Sequence, residues 1–155
     1  MIQLAHIATG ALAGRGRRGV LDALLAGVAA HGAMDLIPHG EVHDDQFEAV
    51  TAIGGVLAVA ARHGATSPIT WGAIGGVLPD LEHVLPRRIR PSTAIFPTHR
   101  WSRLHGWEHK PLAIPAWAQA TLGGLVIGIV ATVVRRQLPD ENVPTTRRFG
   151  LGSMR

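Results

Sequence analysis

From Leu112 to Val134 the chain runs 23 residues without a charged side chain, and Lys110, Arg135 and Arg136 frame the run. At ~1.5 Å per residue a helix of that length spans roughly 34 Å, enough for a bilayer. Four shorter apolar segments precede it, at Ile2–Gly14, Val20–Pro38, Phe47–Ala61 and Ile69–Leu78. The pattern predicts an all-α fold, a small up-and-down helical bundle. It is expected to be transmembrane, with a long functional loop, 79–110, before the last helix. Composition agrees with this expectation. Charged residues make up 17% of the 155, where a soluble domain carries about 25%. Residues 1–136 are expected to form one helical domain and 137–155, rich in Pro, Gly and charge, a mobile tail.

Ala-Ile-Gly-Gly-Val-Leu occurs at 52–57 and again at 73–78. It places small residues mid-segment, where helix backbones can approach closely.

The second copy runs into Pro79-Asp80-Leu81-Glu82-His83, so three groups able to bind a metal or move a proton fall within four residues. Pro79 disfavours helix at Leu78, and Asp80 and His83 share a face of the next turn. His31 and Asp35 are likewise one turn apart. Nine histidines, with no Cys, point to imidazole–carboxylate chemistry and exclude disulfides and thiolate sites. If consecutive helices run up and down, His6, His31, Asp35, His39, Asp80, Glu82, His83, His99 and His105 all reach one level. Arg15, Arg17, Arg18, Arg62, Arg135 and Arg136 reach the other, the arrangement expected of a cytoplasmic side. The site is then expected on the non-cytoplasmic side. A lone histidine on an apolar helix is usually a hydrogen-bonded core group, but several meeting carboxylates in an apolar setting mark function. Such a set suits Zn first, with Mn or Fe as alternatives. The net charge of +4 is spread over short Arg clusters and does not suggest nucleic-acid binding.

His6-x-x-x-Gly10, Asp35-Leu-Ile-Pro-His39, Gly75-Gly-Val-Leu-Pro-Asp80-Leu-Glu-His83 and His99-Arg100 followed by His105 together resemble the YdjM-like family of membrane-bound, metal-dependent hydrolases. That family usually has Asp where this chain has Glu82, and its His-Arg element is one residue shorter. His31-x-x-x-Asp35 also looks like the helical ligand pair of zinc-dependent phospholipase C enzymes. The resemblance implies a multi-pass protein of a bacterial-type inner membrane, with a divalent metal held by His6, Asp80, His83, His99 and His105. Added to the residue reading, His31 and Asp35 join the ligand set, Glu82 is the candidate general base, and Arg100 is the group to stabilise developing negative charge. The expected activity is hydrolysis of a phosphoester or lipid-proximal substrate, small-molecule or lipid, next to membrane lipid. The alternative is a non-catalytic membrane scaffold or metal-binding protein.

Overall fold

The computed structural model describes residues 2–40, 42, 44–85, 88–101 and 114–132. His105, Lys110, Arg135, Arg136 and the expected tail lie outside them. Five long helices occupy the five apolar segments: α1 Gln3–Gly14, α2 Val20–Asp35, α3 Asp45–His63, α4 Pro68–Val77 and α7 Ala116–Thr132. Two short helices, α5 Leu81–Val84 and α6 Pro97–Arg100, lie in the stretch expected as a loop. Among the described residues there is no strand, only an isolated bridge between His39 and Ile114.

The boundaries follow from local chemistry. Asp44 caps α3, its Oδ1 accepting from the backbone N–H groups of Gln46 and Phe47. Ser67 accepts from Ile69 N–H and Pro68 occupies the first turn of α4. The last helix begins later than its composition alone suggests. Ile114 donates to the Pro38 carbonyl and accepts from Gly40 N–H, so its backbone is committed outside the helix. As a result α7 starts at Ala116, and its described part runs 17 residues. No described helix is long and apolar enough to cross a membrane, so the expectation of membrane-spanning helices is not met among the described residues.

Helix α4 sits at the centre, packed mainly against α1 and α2, while α7 packs on α1 and α3. Glycines set these contacts. A Cβ on Gly72 would collide with the Gly10 carbonyl, one on Gly76 with the His6 carbonyl, and one on Gly75 with the Leu24 carbonyl. The backbones therefore touch directly. A core of Ile7, Ala8, Ala11, Val59, Ile69, Ala73, Ile127 and Val130 fills the space beside them. His63 is a core histidine of the ordinary kind, its Nε2 donating to the Val130 carbonyl at 2.8 Å and tying α3 to α7.

Candidate metal centre

The close packing of α1, α2 and α4 brings three histidines and two aspartates together from four parts of the chain. His6 comes from α1, His31 and Asp35 from α2, Asp80 from the end of α4 and His99 from α6. His6, His31 and Asp35 are almost fully buried. The pair His31 and Asp35 faces α4 because Gly27, one turn earlier, lets α2 lie against Gly72 and Gly75.

Two hydrogen bonds fix which nitrogens face the centre. His31 Nδ1 donates to the Gly76 carbonyl at 2.7 Å. His99 Nδ1 donates to Glu82 Oε1 at 2.7 Å. Each ring therefore presents Nε2 to the cluster, and the two Nε2 atoms are 3.2 Å apart. Two lone pairs at that distance repel unless a proton or a cation lies between them. Asp35 Oδ2 is 3.1 Å from His31 Nε2 and 3.4 Å from His99 Nε2. Asp80 Oδ1 is 3.2 Å from His99 Nε2 and 3.7 Å from His31 Nε2. Donor atoms around a tetrahedral Zn with bonds near 2.0–2.1 Å lie about 3.3 Å from one another. The donor atoms of His31, Asp35 and His99 thus have the spacing of metal ligands, and Asp80 Oδ1 comes within the same range of both histidines. The other oxygens of both carboxylates face His6, whose Nε2 is 3.4 Å from Asp35 Oδ1 and 4.0 Å from Asp80 Oδ2.

Hydrogen bonding supplies a second test of fit. Both nitrogens of His6 and both carboxylate oxygens of Asp35 are buried without a hydrogen-bond partner. Their ion-pair approaches have the distance but not the alignment. An unsatisfied buried polar atom costs about 1–3 kcal/mol, so several at one point need a compensating ligand. The donor chemistry, imidazole with carboxylate, fits a divalent cation.

The electrostatics have the same sense. Burial alone would raise Asp80, but His99, then His6 and His31, hold it below the usual carboxylate range. Burial alone would lower His99, but the nearby Asp35 and Asp80 carboxylates, with Glu82 behind, raise it to about 10. The same carboxylates favour a cation, whose binding would compete with the proton on His99.

Of the residues singled out in the sequence, His6, His31, Asp35, Asp80 and His99 meet. His83 is at the margin. Its side chain is 56% exposed and its ring centroid is 4.5 Å from that of His99. Asp80, His83 and His99 form a further group with the spacing of metal ligands. Glu82 does not face the cluster as a free base. Buried, it accepts Ile95 N–H at 2.6 Å and His99 Nδ1–H at 2.7 Å, the carboxylate–histidine arrangement that orients metal ligands. Burial alone would raise it, but the Ile95 and His99 bonds lower it. Arg100 is exposed at the end of α6, and its side chain makes no hydrogen bond or ion pair among the described residues. His39 is buried, with Nδ1 2.6 Å from the Ile37 carbonyl.

Sequence reasoning missed Gln3, whose Nε2 donates to Asp80 Oδ2 and whose backbone N–H donates to Glu48 Oε2 at 2.7 Å. The available signal was a polar residue one turn before His6 in an apolar helix. The carbonyl of Gly76 had no side-chain signal. No family model, curated protein or solved structure matches this chain.

Proposed function

We propose that this protein is a metal-dependent hydrolase of phosphoester bonds acting at a membrane, of the kind that the YdjM-like resemblance implies. The observation that carries the reading is the pair of ring nitrogens of His31 and His99, 3.2 Å apart, with one oxygen of Asp35 and one of Asp80 each 3.1–3.7 Å from both. His6, against the far oxygens of both carboxylates, completes a second position, so the chain has donors for two cations. Zn suits the donors best, and Mn is next. A divalent cation bound there supplies Lewis-acid polarisation of a phosphoryl oxygen and offsets the negative charge that builds on it.

The chain's own residues do the rest. His31 and His99 keep Nε2 inward because Gly76 and Glu82 hold their Nδ1 protons. Glu82 serves as a positioning residue for His99. The role first assigned to it, proton acceptor, passes to His83. Burial and the neighbouring His99 push the His83 ring below its ordinary value of 6.5, so it is neutral near pH 7 and half-exposed at the margin of the cluster. A neutral imidazole there can take a proton from water and return it to a leaving group.

Placement at a membrane is supported by the outer faces of three helices. Leu21 and Leu25 of α2, Val50, Ile53 and Leu57 of α3, and Trp117, Leu122 and Leu125 of α7 are all exposed. Apolar side chains grouped in this way mark a contact with lipid or protein.

A second reading has its own observation. Two histidine nitrogens flanked by two carboxylates also suit a closed structural metal centre, which would make this a metal-binding scaffold. Metal analysis and a hydrolysis assay separate the two. The purified chain should hold one to two equivalents of Zn or Mn and cleave an activated phosphodiester, and His83→Ala should lose cleavage while keeping metal. Retained metal with no cleavage of any phosphoester supports the scaffold. A chain that takes up no divalent metal on reconstitution ends both readings.

A further inference from the structure

An open cavity of about 350 Å³ lies between α3 and α4 beside the cluster. Ala49, Ala52 and Val56 of α3 and Val77 of α4 line it, with Ile53 and Leu57 along the outer edge. Small-molecule sites commonly begin near 300 Å³ and are mostly apolar with a few polar groups. Here the polar groups are confined to one end, where Gln3, Glu48 and Asp80 close the cavity. Asp80 is also a donor of the metal cluster, so the polar end of the cavity and the centre share a residue. Gln3 joins them, since its Nε2 donates to Asp80 while its Oε1 is buried without a hydrogen-bond partner. From Glu48 to Leu57 the cavity follows nine residues of α3, about 14 Å.

We infer that this cavity holds the hydrocarbon tail of a single-chain amphiphile whose phosphoester head sits at Asp80, making the substrate a lipid-like phosphoester. The inference rests on the metal-site reading for the head and on the cavity for the tail. Three features favour that occupant. The cavity is apolar along its length and polar at one end. That end is where a cation would attract an anionic head. The outer edge is open, as entry from a lipid layer requires.

The test is calorimetric titration of the full-length, metal-loaded chain, free of detergent, with dodecyl phosphate and butyl phosphate below micelle-forming concentrations. Each buried methylene strengthens binding severalfold, so the long chain should bind at least about a hundredfold more tightly than the short one. Ala49→Trp fills the cavity and Leu57→Asp charges its far end. Each should bring the long chain to within roughly tenfold of the short one, with metal content unchanged. If Ala49→Trp fails to fold, Leu57→Asp carries the test alone. Val50→Asp, on the same helix but outside the cavity, should leave binding as it was. Equal affinity for the two phosphates, or a dodecyl phosphate affinity that survives the cavity variants, overturns the inference. So does an equal loss in Val50→Asp, which would indicate a general apolar or bilayer contact. Chelation should weaken both phosphates by the same factor. If it weakens neither while the cavity variants still act, the tail site stands and the metal reading falls.

Discussion

The same six residues, Ala-Ile-Gly-Gly-Val-Leu, do opposite things in α3 and α4. In α4 they are central. Ala73, Gly75 and Gly76 are buried, the glycines press on the backbones of α1 and α2, and the Gly76 carbonyl fixes the His31 ring. In α3 they are peripheral. Ile53 and Leu57 are 62% and 61% exposed, Gly54 faces open space, and Gly55 meets only the ends of Ile7 and Ile127. The difference lies in the flanks. The α4 copy is capped tightly by Ser67 and Pro68 and runs directly into Asp80, so its far end belongs to the metal centre. The α3 copy lies between an acidic first turn and Arg62-His63, and it packs by side chains. A glycine pair permits close backbone approach, and its surroundings decide whether that approach happens.

Valine at the α4 glycines should give the largest effect. At Gly75 or Gly76 the new side chain meets carbonyl groups of another helix, which cannot swing away as a side chain can. Overpacking of this kind costs about 1–3 kcal/mol, more where backbone must shift, so Gly76→Val should lose 3 kcal/mol or more. Denaturant titration reads it directly. A change under 1 kcal/mol would mean that α4 is not the central helix described here.

Next in size is the cation itself. A ligand that binds only the folded chain adds about 2.7 kcal/mol at a hundredfold excess over Kd. Wild type should therefore melt lower after chelation and recover with Zn or Mn. Asp80→Asn and His99→Ala should melt at the same temperature with and without metal. An unchanged response in both variants would remove these residues from the ligand set.

Glu82→Gln tests position rather than ligation. The amide retains an acceptor for His99 Nδ1 but loses the charge, and loss of such an outer partner typically weakens metal 10–100-fold. The fold should persist. Metal affinity equal to wild type would make Glu82 a loop anchor for Ile95 and Phe96 alone.

In the metal-free protein the cluster should also set a pH profile. His99 is raised from 6.5 to about 10, so the stability it contributes is fully present below pH 6.5 and is lost as pH rises through 10. Asp80 is depressed from 3.8, so its contribution is present above that value and is lost in acid below it. His6, lowered to about 3 by burial and by His31, contributes stability that is lost as pH falls below 6.5, so melting temperature should be highest near pH 6.5 and fall on both sides. His99→Ala should flatten that alkaline fall, and an undiminished fall in the variant would place its cause elsewhere.

How far the sequence disclosed this molecule depends on what kind of signal each part carried. The helices were legible because apolar runs and Pro, Ser and Asp boundaries are local. The meeting of His6, His31, Asp35, Asp80 and His99 could be anticipated because alternating helices return to one level. The orientation of each ring could not, since it depends on partners such as Gly76 and Glu82 that lie 45 and 17 residues away. Glu82 read as a base because a carboxylate beside His83 looks available in one dimension. In three dimensions the 95–99 segment folds over it and takes both oxygens. Gln3 had no motif to announce it. The apolar run did not show where its helix begins, because the backbone pairing of Ile114 with Pro38 and Gly40 is set by the tertiary fold.

The smallest expected effect is the one that most sharply separates the two copies. Gly54 in α3 is helical, exposed and open around the position a Cβ would occupy. Alanine there meets nothing and removes the excess backbone freedom of glycine from the unfolded chain. A glycine in a helix interior costs about 0.5–1 kcal/mol relative to alanine, so Gly54→Ala should stabilise by that amount. Gly75, the matching residue of α4, should respond in the opposite direction, because its Cβ would overlap the Leu24 carbonyl. The pair removes propensity as a variable, since the five other residues of the repeat are identical and only the packing differs. Thermal melts of Gly54→Ala and Gly75→Ala, run with metal-loaded and chelated protein, give the comparison. Gly54→Ala should move the melt upward by the same amount in both conditions, whereas Gly75→Ala should lower both melts and reduce the gap between them. A destabilised Gly54→Ala would show that this face of α3 is covered in the working protein, by lipid or by another chain.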